Sequence, residues 1–230
     1  MILSIHQPEF LPWYGYIHKL YHSDIFVILD DVQFKKNYFE NRNKILTKNG
    51  PIWITIPVVS KDRLDNTIRT TKINWHKDWR KKVISTIQQT YSKYSFYDEI
   101  KPLLEIFDIK YETIYELNMA IINFIIKLLD IDTKIIIQSE LNTTKHKNDL
   151  LLEICQKLDV DKYMMNMNGS DYFEYELFKE NNIEVIHHDF KHIRYDQKNS
   201  SDKFIDYMSF VDIIANIGKD GLLEELRNNV

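Results

Sequence analysis

The first thirty-four residues confine the chain to a narrow set of folds. Met1 to Ile5 is a short apolar run that reads as a buried strand, and Pro8 and Pro12 behind it forbid continued ladder bonding. Gly15 to Tyr21 suits a short helix. Ile25 to Leu29 is a second continuous apolar run, and it ends on Asp30-Asp31. Strand, loop, helix and strand in so short a span make a βαβ unit. Its two strand ends deliver His6-Gln7 and Asp30-Asp31 to the edge where open α/β sheets bind ligands.

Further βαβ units are expected downstream. Lys35 to Asn43 reads as an ordered polar loop. Asn49-Gly50 between Lys44–Thr47 and Ile52–Pro57 signals a hairpin. Lys61 to Asn66 reads as a turn, with Thr67 to Ile73 returning as a strand. From His76 the period becomes helical, with Trp79, Val83, Ile87 and Tyr91 in one stripe, breaks near Ser92–Tyr97 and Asp108, and Pro102 suited to the first turn of the next helix. Tyr111 to Leu129 reads as a largely buried helix. Thr133–Gln138, Tyr163–Asn166 and Glu184–His187 read as strands, alternating with helices at Asn148–Leu158 and Tyr172–Glu180. The expectation is an α/β fold with a mostly parallel, Rossmann-like sheet, a β-hairpin extension and an inserted helical block at about residues 76–130. Residues 1–230 are treated as one domain.

Composition narrows the function. A net charge of −4 provides no basic field for nucleic acid, so no nucleic-acid partner is expected. The one cysteine, Cys155, excludes an internal disulfide and a thiolate-rich zinc site, and its apolar neighbours Leu151, Leu152, Ile154 and Leu158 mark it as core. The start of the chain lacks a signal-peptide pattern. The apolar stretch Met119–Leu129 is shorter than the roughly eighteen residues a membrane span needs. A cytoplasmic protein without a membrane span is expected.

Several segments together resemble a known family. His6-Gln7-Pro8, Pro12-Trp13, Gly15-Tyr16, Lys19, Ser23-Asp24, Phe26 to Phe34 and Asn41-Arg42-Asn43 are similar to the opening of the WbqC-like family, found in bacterial O-antigen and surface-polysaccharide gene clusters. The similarity continues through Gly169, Asp171-Tyr172, Tyr195, Gln197, Ser209, Asp212 and Asn216 to Gly218. It implies a glycine or other acyl transferase acting on amino sugars.

Four polar clusters are candidates for that chemistry. His6, at a strand end, suits a general base, because an imidazole exchanges protons readily near neutral pH, and Asp30 and Asp31 could orient it, bind a substrate amine or hold a metal. The bland alternatives are a strand cap and a turn. Asn37, Asn41, Arg42 and Lys44 would suit phosphate or sugar hydroxyls, and otherwise form a solvated loop. Gly169, Asp171 and Tyr172 follow a strand and precede a helix, where backbone N–H groups receive anions, although Asp171 equally suits a helix cap. His188, His192, Tyr195 and Gln197 are expected to line a pocket beside His6. The His188/His192 spacing is no metal motif, so no metal is expected. Gln7, Trp13, Tyr14 and Lys19 complete the substrate-binding set.

No strong nucleophile is present: Ser209 lies outside a GxSxG elbow, and Walker and GxGxxG loops are missing. Taken with the WbqC-like resemblance, this inventory implies amide-forming transfer of an acyl or aminoacyl group, glycyl included, from a donor such as a CoA or carrier thioester. The resemblance implies that the acceptor is the amino group of a nucleotide-linked amino sugar, and no bound cofactor is expected. Two alternatives stand beside it. One is a non-catalytic sugar-nucleotide-binding or scaffold protein of the same pathway. The other is an ATP-using ligase or nucleotidylyltransferase, since the His6, Pro8, Gly15 opening resembles an HxGH loop with altered spacing.

Overall fold

The two apolar runs that open the chain pair with each other, in parallel. In the computed structural model, which describes residues 1–59, 66–76, 78–166, 173–200 and 203–229, β1 (Ile2–His6) leads through α1 (Tyr14–Tyr21) to β2 (Ile25–Ile28). The hairpin β3 (Arg42–Thr47) and β4 (Gly50–Thr55) follows. Next come helices α2 (Trp79–Tyr91), α3 (Tyr97–Ile106) and α4 (Ile114–Leu129). The remainder runs β5 (Lys134–Ile137), a 3₁₀ turn, α5 (Lys147–Lys157), β6 (Lys162–Met165), α6 (Tyr175–Glu180), β7 (Glu184–His187) and α7 (Phe210–Asn228).

Five strands form one sheet in the order β5-β2-β1-β6-β7, and every pairing is parallel. Leu3 stands opposite Ile25 and Tyr163, and His6 opposite Ile28. Because side chains alternate across a strand, the sheet divides its residues between two cores. Leu3, Ile5, Ile25 and Val27 pack with Leu152, Ile154 and Cys155 of α5 and Phe178 of α6. Phe26 and Ile28 pack on the other face with Tyr16, Ile17 and Leu20 of α1 and with residues of α4 and α7. The right-handed preference of parallel βαβ crossovers accounts for this division. From β1 through β2 to β5 the chain walks one way along the sheet, and from β5 through β6 to β7 it walks back.

Local chemistry accounts for most boundaries. The α2 stripe Trp79, Val83, Ile87 and Tyr91 is buried. The α4 helix begins at a capping box, in which Thr113 accepts from Glu116 N–H and Glu116 reaches back to Thr113 N–H. Gly50 takes a φ of 98° after the hairpin loop, a region costly for residues with a Cβ.

Three readings are corrected. Thr67 to Ile73 is a turn with isolated bridges at Thr67, Lys72 and Ile73, because Thr71 N–H and Oγ1 both bond the Thr67 carbonyl. Pro102 lies inside α3: the helix begins at Tyr97, and burial of Ile100, Leu103 and Leu104 outweighs the proline's first-turn preference. Strand β5 stops at Ile137, one residue early. The nineteen-residue α7, which the linear pattern did not reveal, has Ser209 as its N-cap. Gly218 kinks α7 with φ 71°, and a Cβ there would meet the Phe96 ring at 2.6 Å. Most of the expected turn at Lys61–Asn66 lies outside the described residues. Among the described residues no helix is long and apolar enough to cross a membrane.

Candidate functional site

A parallel sheet that reverses its chain order opens a crevice where the connections diverge. Here that point lies between β1 and β6. His6 ends β1, and Asn166 directly follows β6. Lys19 joins them from α1. Its Nζ lies 3.5 Å from the Ile5 carbonyl and donates to the Asn166 side-chain oxygen. Seven of the eight α1 residues are buried, so the helix carries the lysine inside with it. No carboxylate forms an ion pair with Lys19 among the described residues, and burial holds its ammonium down to about 7.

His6 has a defined tautomer. A carbonyl only accepts, so Nδ1 carries the proton it shares with Gln7 O at 3.0 Å, and Nε2 carries the lone pair. That lone pair lies 3.9 Å from Glu9 Oε1, beyond hydrogen-bond reach. Burial, then the nearby Lys19, lowers the His6 pKa to about 4, so the ring is neutral at physiological pH. His188 joins this group. His18 Nε2 donates to Asn229 O at 2.5 Å, so its Nδ1 accepts from His188 Nε2 at 3.0 Å. Burial pushes His18 to about 4, and burial followed by Lys19, His18 and His6 pushes His188 to about 3.

Behind His6 lies a carboxylate pair that the sequence reading did not assign. Glu9 and Glu40 are 5% and 2% exposed. Asn118 places them side by side by donating at 2.8 Å to both Pro8 O and Glu40 O, and Phe10 N–H bonds Phe39 O. Asn43 fixes the same loop through Phe10 O and Leu11 O. Burial and then Glu40 raise Glu9 well above the usual range, and burial raises Glu40 to about 7. The Tyr16 ring meets His6 edge-on at 4.9 Å. Glu9 Oε2, Glu40 Oε2, Tyr16 OH and Asn118 Oδ1 are buried with no hydrogen-bond partner among the described residues.

The other expected residues lie elsewhere. Asp30 is fully buried and accepts from Arg69 Nη1, Ser139 N–H and Ser139 Oγ at 2.8 to 3.0 Å. Asp31 lines a cavity of about 620 Å³ beside Leu150 of α5, whereas His6 faces α1. Among the described residues neither aspartate side chain bonds His6. Asn41 accepts from Asn37 N–H and donates to Ile56 O. Arg42 and Lys44 lie over the exposed Trp53 ring at 4.2 and 5.6 Å. Trp13, Tyr14, His192 and Tyr195 surround a cavity of about 20 Å³, room for roughly one water. Tyr195 also donates to Asp212, and Gln197 bonds Tyr195 OH and Ile205 O. Gly169, Asp171 and Tyr172 lie outside the described residues. Of the expected set, the structure gathers His6, Gln7, Lys19 and His188. No group of three or more His, Cys, Asp or Glu side chains among the described residues is placed to hold a metal.

The match to the WbqC-like protein family covers residues 7–224 and takes in every element of this crevice beyond β1. The chain belongs to the WbqC-like protein family. A relative, "Uncharacterized protein Rv1507c" of Mycobacterium tuberculosis (strain ATCC 25618 / H37Rv), is 29% identical over 220 residues, covering 95% of this chain and 94% of its own length. No solved structure matches the chain. Within this WbqC-like chain, Glu9 could have been noticed from sequence as a carboxylate between two prolines in an otherwise apolar stretch. Glu40, His18, Asn118 and Asn166 carry no local signal, because only folding brings them to the crevice.

Proposed function

We propose that this WbqC-like chain transfers an acyl or aminoacyl group, glycyl included, to the amino group of a nucleotide-linked amino sugar used in surface-polysaccharide assembly. The observation that carries the reading is His6 Nε2, without a hydrogen-bond partner among the described residues, at the point of strand reversal, its companion ring nitrogen held by Gln7 O. The acceptor amine attacks the carbonyl carbon of a thioester donor, a C–N bond forms and the C–S bond breaks. An imidazole with a pKa of about 4 is too weak to hold a proton from a free ammonium. It can take one from the far more acidic nitrogen of the addition intermediate and return it to the departing thiolate. His6 performs that transfer, and Lys19 supplies a cation or a neutral amine close to its switching pH.

Incubating the protein with nucleotide-linked amino sugars and acyl thioesters, read by mass spectrometry, tests this. The acylated sugar should form, and His6→Ala should lower turnover by about 10²- to 10⁴-fold while largely preserving acceptor affinity. No mass gain with any donor, together with binding of an unrelated ligand, overturns it.

A second reading, sugar-nucleotide binding without catalysis, draws on the cavity beside Asp31. Its volume of about 620 Å³ suits a small molecule, and Lys145, His146 and Lys147 contribute to its wall. Under that reading sugar nucleotides bind without turnover, and His6→Ala leaves their affinity unchanged.

A further inference from the structure

We propose that Glu9, Glu40 and Tyr16 form the subsite that receives the primary ammonium group of the acceptor, an inference that rests on the acyl-transfer reading above. Four buried polar atoms of this group have no partner among the described residues: Glu9 Oε2, Glu40 Oε2, Asn118 Oδ1 and Tyr16 OH. Glu9 lies within the field of both Glu40 and Tyr16, and Asn118 bonds the backbone beside each carboxyl. Burying unpaired polar groups is costly, so such a cluster marks a place where a ligand completes the bonding.

The chemistry of these atoms selects the ligand. Three are carboxyl or amide oxygens, which accept when the carboxyls are ionised, and a bound positive charge favours that ionised form. A primary ammonium presents three N–H donors and one charge, whereas a hydroxyl presents a single donor and no charge. No lysine or arginine forms an ion pair with either carboxylate among the described residues, and Lys35 is the cation whose field reaches Glu40. Glu9 is faced by Glu40, by Tyr16 and by His6.

Position connects the subsite to the reaction. The 3.9 Å between Glu9 Oε1 and His6 Nε2 is spanned by a nitrogen lying about 2.8 to 3.0 Å from each. The His6 side chain is 20% exposed against 6% for Glu9, so of the two groups the imidazole is the one nearer solvent. Burial raises the proton affinity of both carboxyls, Glu40 to about 7, so a carboxylate here can draw the first proton from the ammonium. The freed amine then attacks, and His6 is left the more acidic proton of the intermediate.

The test pairs nucleotide-linked amino sugars bearing the amine at C2, C3 or C4 with sugars that have a hydroxyl at the same carbon. Calorimetric affinities are measured at pH 8 for the native protein, Glu9→Gln and Glu40→Gln, with thermal melts to confirm folding. At least one amine should bind tighter than its hydroxyl partner by about 10- to 100-fold, the worth of one or two charge-assisted hydrogen bonds. Both substitutions should shrink that preference to a few-fold and leave hydroxyl-sugar affinity unchanged. The proposal is overturned if no pair prefers the amine, or if the preference survives both substitutions. Amine preference without mass gain from any thioester keeps the subsite and removes the transferase reading. Mass gain with unchanged KM in both variants does the reverse.

Discussion

Lys19 donates from α1 to the side-chain oxygen of Asn166, bonding the first crossover helix to the end of β6 across the line where the sheet reverses direction. The amine is 1% exposed and has no carboxylate partner among the described residues, so its charge is opposed by burial alone.

Lys19 should make stability rise with pH. Its folded pKa is about 7 against an ordinary value of 10.5, so between those pH values the unfolded chain binds the extra proton and the folded state gains as pH increases. Below about 7 the cost is fully present. A tenfold change in proton affinity is worth about 1.4 kcal/mol, so the effect reaches several kcal/mol. Urea denaturation should find Lys19→Met stabilising at pH 6.5 and much less so at pH 9.5. Equal effects at both values contradict the burial.

The histidine group should sensitise the fold to acid. His6, His18 and His188 have pKa values lowered to about 4, 4 and 3, so they bind fewer protons folded than unfolded as pH falls below 6.5. Stability is then lost progressively between about pH 6.5 and 3. Nitrogen-15 spectra of the imidazoles should show all three neutral at pH 5.5. A midpoint near 6.5 for any of them would show that its ring is solvated.

Asp30 should behave as a structural residue. It joins the end of β2 to Arg69 and to Ser139 in the turn after β5. Asp30→Ala should cost about 3 kcal/mol or more, because Arg69 and the Ser139 donors lose their common acceptor. Denaturant midpoints measure this. If stability is unchanged while ligand affinity collapses, Asp30 is a binding residue.

Cys155 should resist alkylation. It is fully buried, and burial pushes its thiol up to about 12. Iodoacetamide at pH 8 should label the unfolded chain readily and the native protein at least about 100-fold more slowly, given how little thiolate is available. Rapid native labelling would mean that α5 opens locally.

The alternation of strand and helix was legible in the linear pattern because each element carries its own periodicity. The apolar runs at Ile2–His6 and Ile25–Ile28 and the α2 stripe are local features, set by backbone geometry and burial within a few residues. The parallel sheet follows from that alternation and the handedness of crossovers. The α7 helix was less legible because Gly218 interrupts its dihedrals. The site belongs to the other category. His6 and Lys19 are near in sequence, but Glu40, Asn118, Asn166 and His188 reach them only through the strand order β5-β2-β1-β6-β7 and the clamp of Asn118 on Pro8 and Glu40. Asp30 and Asp31 look equivalent in sequence. Tertiary structure separates them, bonding one into Arg69 and Ser139 and leaving the other beside a cavity under α5, because neighbouring residues at a strand end leave by opposite faces.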